Sequence, residues 1–307
     1  MKKTILKIFA VIISLLILLF ILGYQSDIPI NELEEKYANA ESEFIKIDGM
    51  DVHYRIEGQG RPLVLIHGTG ASLHTWDKWT EQLKDSFEII RMDLPAFGLT
   101  GPNKDGDYSM EFYTRFLNRF LQKINVDSFY LAGNSLGGRI AWNYAAAYPQ
   151  QIKKLILIDA AGAPNDKGLP LVFKLARNPV SAVLFRYVLP KSFIEKNMKE
   201  VYFDDAKITS EIIDRYHSMA LRPGNRQAFI DRANMDFPDR TAILSKIICP
   251  TLIMWGRHDE WIPVGDAAFF DKKIPNSKVV IYENAGHVPM EEIGTETAED
   301  ARAFLEN

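Results

Sequence analysis

A single cysteine, Cys249, stands among 307 residues, so no disulfide can close within the chain. With no CxxC pair and no cysteine–histidine cluster, the sequence carries no structural metal signature. Cys249 lies in Ile247-Ile248-Cys249-Pro250, ahead of a strand, and reads as a small core residue. Charge of one sign is scarce too. Thirty-six lysines and arginines against 40 aspartates and glutamates leave a net charge of -4, which gives no basis for a nucleic-acid partner. Internal repeats and low-complexity stretches are missing, and there is one long hydrophobic run.

That run is at the N-terminus. Met1-Lys2-Lys3-Thr4 and Lys7 precede an apolar stretch from Ile8 to Leu22 interrupted by Ser14. Counted from Ile5 it is long enough to span a bilayer, with Lys7 able to snorkel. No small-x-small cleavage site lies just after it, and Ala38-Asn39-Ala40 is too far downstream, which favours an uncleaved transmembrane anchor over a secreted product of signal cleavage. Lysines before the run and Asp27, Glu32, Glu34 and Glu35 after it place the N-terminus in the cytoplasm and the rest outside. The expected organisation is an anchor over 1–24, a polar linker over 25–41, a core over 42–163 and 246–307, and a helical cap over 164–245.

The full 307-residue chain is 47% hydrophobic, enough for one large core. Phe44–Ile47 and Val52–Ile56 read as a hairpin. Apolar runs at 63–66, 87–92, 129–132, 155–158, 250–255 and 278–282 then alternate with helical stretches, including 76–84, 110–126, 139–148, 267–273 and 295–307. Continuous apolar strands alternating with helices predict a mostly parallel, doubly wound sheet covered on both faces. From Ala163 to about Ser245 no strand pattern appears, only helical segments with breakers at Pro179, Pro190, Pro223 and Pro238. The first half of this insertion is rich in apolar and aromatic residues, suited to packing on the core, lining an acyl pocket or facing lipid.

Ligands in such sheets bind at the carboxyl ends of the strands. His67, Asp93, Ser135 and Asp159 fall at such ends. Ser135 sits in Gly133-Asn134-Ser135-Leu136-Gly137, a G-x-S-x-G between strand and helix, where a tight turn lifts the hydroxyl above the sheet. A serine needs a base to take its proton, and the base needs an orienting acid. In chain order Ser135, Asp259 and His287 supply nucleophile, acid and base, the last two following consecutive strands. Of six histidines, His287 has the position a base requires. Asp159 is the reserve acid, and Asp93 ties down its own loop. Two N–H donors for an oxyanion are expected from Leu136 and from Thr69 in His67-Gly68-Thr69-Gly70. That chemistry needs neither metal nor cofactor.

With these residues in place, the chain resembles the α/β-hydrolase superfamily over about residues 42–307. The marks are His67-Gly68, Asp93-x-Pro-x-x-Gly98, Gly133-Asn-Ser-Leu-Gly137-Gly138, Trp255-Gly-x-x-Asp259 and Gly286-His287-Val-Pro-Met-Glu. Within it, the sequence is most similar to membrane-anchored monoacylglycerol-lipase-like enzymes and small bacterial lipases and esterases. The resemblance implies hydrolysis of acyl esters, monoacylglycerols among them. Meta-cleavage-product carbon–carbon hydrolases share the same layout and are the alternative; a non-catalytic binding protein would have lost a member of the set. Ala96 departs from the pattern, since relatives commonly carry glycine there. Oligomeric state has no signature in the sequence.

Overall fold

The computed structural model describes residues 6–7, 9, 14, 20–21, 23–164 and 167–307. Helix α1 (Ile30–Tyr37) precedes a hairpin of β1 (Ser42–Ile47) and β2 (Met50–Glu57). The chain continues through β3 (Arg61–Ile66), α2 (Asp77–Leu83), β4 (Phe87–Met92), α3 (Met110–Lys123), β5 (Phe129–Asn134), α4 (Leu136–Ala147) and β6 (Ile152–Ile158). Five helices follow: α5 (Leu171–Arg177), α6 (Pro179–Phe185), α7 (Lys191–Val201), α8 (Ser210–Ala220) and α9 (Asn225–Ala233). The chain closes with β7 (Thr251–Gly256), α10 (Gly265–Lys273), β8 (Ser277–Tyr282), α11 (Pro289–Glu292) and α12 (Gly294–Glu306).

All eight strands form one sheet in the order β1-β2-β4-β3-β5-β6-β7-β8. β3 to β8 run parallel, and β1 and β2 add an antiparallel edge. The apolar runs are explained by two-sided burial. On β3, Val64 and Ile66 join the core layer that contains Phe116, Phe120, Trp142, Trp255 and Phe270. Leu63 and Leu65 of the same strand enter the opposite layer, with Trp76, Trp79 and Met254. Alternate residues therefore feed opposite layers, and a polar residue has no free face to occupy.

Of the boundaries that depart from the sequence reading, one bears directly on the site. The helix expected from Arg139 begins at Leu136, directly after Ser135. Glycines at 137 and 138 hid this, because their low helix propensity argues against an early start. Their role is steric: a Cβ on Gly137 would sit 2.1 Å from the carbonyl oxygen of Ile66. Only glycine lets this helix start against β3.

Among the described residues no helix is long and apolar enough to cross a membrane. The anchor expected over 1–24 falls largely on residues outside the described set. The part that is described contacts the helical insertion. Tyr24 stacks on Tyr187 with ring centres 6.5 Å apart, and the N–H of Gln25 donates to the Tyr187 carbonyl at 2.7 Å.

Candidate active site

Ser135 has φ 55° and ψ -114°, a conformation an L-residue adopts only under constraint. The constraint is visible. Its N–H donates to Ile158 at 3.0 Å, and its carbonyl accepts from Arg139 and Ala161 at 3.0 Å each. The start of α4 lies directly below, with its N–H groups and positive dipole end facing the serine. The His67-Gly68-Thr69 turn closes from the other side: a Cβ on Gly68 would lie 3.1 Å from Ser135 Cβ. Thr69 and Leu136, the expected oxyanion donors, thus flank the serine.

Asp259 and His287 reach the same edge from the ends of β7 and β8. A Cβ on Gly256 would lie 1.9 Å from the Gly286 carbonyl oxygen, so the two loops can touch only with glycine there. Their approach sets His287 Nδ1 2.6 Å from Asp259 Oδ2. The other carboxylate oxygen, Oδ1, accepts from the N–H groups of Trp261 at 2.7 Å and Ile262 at 2.8 Å. Asp259 is thereby fixed as an acceptor, and His287 Nδ1 is the donor toward it.

Several positioning residues escaped the sequence reading. Asn134 Nδ2 donates to the His287 carbonyl at 2.9 Å and to Ile158 at 3.2 Å, tying the serine strand to the histidine loop. It lies inside the G-x-S-x-G motif, whose variable position hid a specific role. Glu292 accepts from Gly286 at 2.8 Å, and from the N–H groups of Phe203 and Asp204 at 3.0 and 2.8 Å. It joins the histidine loop to the helical insertion. The N–H of His287 itself donates to Val201 of α7 at 2.7 Å.

Asp159, the reserve acid, is fully buried with its Oδ1 accepting from Gly256 at 3.0 Å. Its Oδ2 has no donor partner. Asp159, Asp259 and His287 present atoms within 4.8 Å of one another. Burial pushes the Asp159 carboxyl well above the usual carboxylate range, and the neighbouring Asp259 charge adds to this.

Asp93 does tie its loop, accepting from Leu73 at 2.7 Å and Leu99 at 2.8 Å. It also pairs with His53 Nδ1 at 2.8 Å, a contact that the mid-strand position of His53 gave no reason to expect. Burial alone would raise the Asp93 carboxyl, but His53, together with His67 and His74, offsets it and holds the group below the usual range. His67 Nε2 accepts from the N–H of Leu94 at 2.9 Å, so this histidine fixes the turn beside the serine. Ala96 sits at φ 85°, a left-handed conformation glycine enters freely and alanine at a cost of about 1–2 kcal/mol.

Two cavities meet at Ser135, sharing Thr69, Ser135 and Trp261 as walls. The first, of about 970 Å³, also takes in His287 and is lined by apolar residues of the insertion such as Val172, Phe185, Phe193, Met198, Met219 and Phe229. The second, of about 870 Å³, adds Leu136 and the cationic residues Arg139, Lys167, Arg177 and Arg232. An apolar chamber and a cationic one thus open on a single serine.

The sequence pattern of the alpha/beta hydrolase fold family matches residues 61–292. Lipase 1 of Psychrobacter immobilis is 30% identical over 265 residues, covering 80% of this chain and 77% of that protein. The 2-hydroxy-6-oxononadienedioate/2-hydroxy-6-oxononatrienedioate hydrolase of Cupriavidus pinatubonensis is 26% identical, covering 80% of this chain and 89% of its own. Among solved structures, a membrane phospholipase A described as a bacterial virulence factor aligns with TM-score 0.77 and 28% identity, over 100% of this chain and 98% of that one.

Proposed function

The chain belongs to the α/β-hydrolase fold family, and from that premise we propose that it is a serine hydrolase of carboxylic acyl esters, lipid esters such as monoacylglycerols among them. The observation that carries the reading is the 2.6 Å bond from His287 Nδ1 to Asp259, on a histidine that lines one cavity with Ser135. Ser135 attacks the acyl carbonyl while His287 takes its proton through Nε2. Asp259 keeps the imidazole in that tautomer and stabilises its cation. The amides of Thr69 and Leu136 receive the negative charge of the tetrahedral intermediate. His287 then protonates the departing alcohol. Water activated by the same imidazole releases the acid from the acyl-enzyme. Every step uses groups of the chain itself.

The apolar chamber suits an acyl chain, and residues 164–245 act as a cap whose packing sets chain length. The surface supports access from a membrane: Val180, Val183, Leu184 and Tyr187 are exposed, Val180 at 74%, beside the segment that carries the N-terminal apolar run. A lipid-facing apolar surface around the chamber favours esters partitioned in a bilayer over the soluble substrates of carbon–carbon hydrolases. That second reading is the alternative because three relatives are named 2-hydroxy-6-oxononadienedioate/2-hydroxy-6-oxononatrienedioate hydrolases. Turnover of a p-nitrophenyl ester series from acetate to palmitate tests the proposal, with the chain-length optimum sizing the chamber. A folded protein that reacts with a fluorophosphonate but cleaves none of the series would shift the reading to carbon–carbon bonds.

A further inference from the structure

The basic residues of the cationic chamber have no part in the chemistry just derived. Four of the residues that wall it, Arg139, Lys167, Arg177 and Arg232, are basic, and none is acidic. Among the described residues no carboxylate forms an ion pair with Arg139, Arg177 or Arg232. Arg232 is only 8% exposed, and its Nε is buried with no partner; Arg139 Nε is also buried and unpartnered. Both guanidinium groups lie over the ring of Phe237, at 5.2 and 5.4 Å, which packs them together. Arg177 donates its Nε to the carbonyl of Ala233 at 2.6 Å. Arg139 Nη2 donates to the carbonyls of Pro238 at 3.0 Å and Phe237 at 3.4 Å, and the acid that acts on its charge is Asp239, which is exposed and accepts from the N–H of Thr241 at 2.8 Å. Three arginines gathered around a cavity with no ion-paired carboxylate repel one another, and an anionic ligand would offset that cost.

Resting on the acyl-ester reading, the geometry points to a two-armed substrate. Its acyl chain lies in the apolar chamber, its carbonyl at Ser135, and its leaving alcohol carries a phosphate into the chamber of Arg139, Arg177 and Arg232. Guanidinium forks match phosphate oxygens in pairs, and three of them suit a phosphate better than a single carboxylate. The shared chemistry is an oxyanion on the alcohol side of the ester. The substrate class is an anionic lysophospholipid rather than a neutral monoacylglycerol. Placement of the anion on the alcohol side follows from the walls, since the chamber that holds the acyl chain is the apolar one.

The full-length protein, in neutral mixed micelles, would be assayed on three dodecanoyl esters: of glycerol, of glycerol phosphate, and of a hydroxy acid that offers a carboxylate instead. Expected is a kcat/KM for the phosphate ester about tenfold or more above that for the glycerol ester, shrinking as salt is raised to about 0.5 M. Arg177→Gln would cut that preference by about tenfold, and Arg177→Lys would restore part of it. Because the ratio is read, a general loss from misfolding cancels. Competition by glycerol phosphate against p-nitrophenyl butyrate, strong in the wild type and weaker in Arg177→Gln, would support the same site without a lipid. Equal kcat/KM for phosphate and glycerol esters, or a ratio unmoved by Arg177→Gln, would overturn the inference while leaving the esterase intact. A preference for the carboxylate ester would overturn the phosphate assignment. Cleavage of none of the three, together with no fluorophosphonate labelling, would bring down the ester reading itself.

Discussion

Replacing Asp259 by asparagine tests how the two buried carboxylates divide their work. Asparagine Oδ1 can keep the bonds from Trp261 and Ile262, so its amide NH2 must turn toward His287 Nδ1. That forces the wrong tautomer, a change that on a Ser-His-Asp site costs about 10⁴ in kcat, or about 5.4 kcal/mol. Here Asp159 changes the outcome. In the wild type burial and the Asp259 charge hold its carboxyl well above the usual carboxylate range. Removing that charge removes one of the causes of the shift, and Asp159 then ionises more readily. At the 4.8 Å limit that bounds this cluster, a carboxylate and an imidazolium attract by about 3.5 kcal/mol at an effective dielectric near 20. Asp259→Asn should therefore lose about 10² in kcat/KM rather than 10⁴, and its residual activity should rise with pH as Asp159 deprotonates. Asp159→Asn alone, a near-isosteric replacement that leaves the Asp259–His287 bond in place, should stay within about threefold of wild type. The double variant should lose about 10⁴, a coupling of about 2.7 kcal/mol between the sites. The assay is p-nitrophenyl butyrate hydrolysis across about pH 6 to 9, bracketing the histidine range. The reasoning fails if Asp259→Asn is as inactive as the double variant, or if Asp159→Asn alone costs as much as Asp259→Asn.

Two further predictions concern stability. Gly137→Ala would push a Cβ to 2.1 Å from the Ile66 carbonyl, so α4 must shift. The cost should be about 3 kcal/mol or more, read from denaturant midpoints, with activity falling alongside; an unchanged midpoint would show the helix start to be adjustable. His74 is held down to about 4 by burial, so between pH 4 and about 6.5 the unfolded chain binds a proton that the folded chain does not. Stability rises with pH across that window: the contribution is whole above about 6.5 and lost by about pH 4, a swing of about 3 kcal/mol. Urea unfolding at the two ends should register it, and His74→Gln should flatten the difference.

Much of this architecture was legible because each parallel strand is buried on both faces. That leaves strings such as Leu63-Val64-Leu65-Ile66 with no polar residue to blur them. Strand ends could then be read as one edge, which is why Ser135, Asp259 and His287 could be named together before any coordinate. Strand order could not, since pairing of β3 between β4 and β5 is a matter of crossover handedness and leaves no local mark. The start of α4 was missed because Gly137 and Gly138 obey close packing rather than helix propensity. The roles of Asn134 and Glu292 were missed because both act on backbone groups far away in sequence, where spacing carries no information. The cationic chamber was hidden for a related reason. Arg139, Arg177 and Arg232 come from three separate helices, and in a chain with net charge -4 three scattered arginines draw no notice.

The central claim is that Ser135 is the nucleophile of an esterase. Its most direct test is p-nitrophenyl butyrate hydrolysis by the wild type and by Ser135→Ala, with fluorophosphonate labelling mapped by peptide mass. The account predicts a labelled peptide containing Ser135 and a fall of about 10³-fold or more toward the buffer rate in Ser135→Ala. Ester hydrolysis that persists undiminished in a folded Ser135→Ala, with the label elsewhere or nowhere, would contradict it.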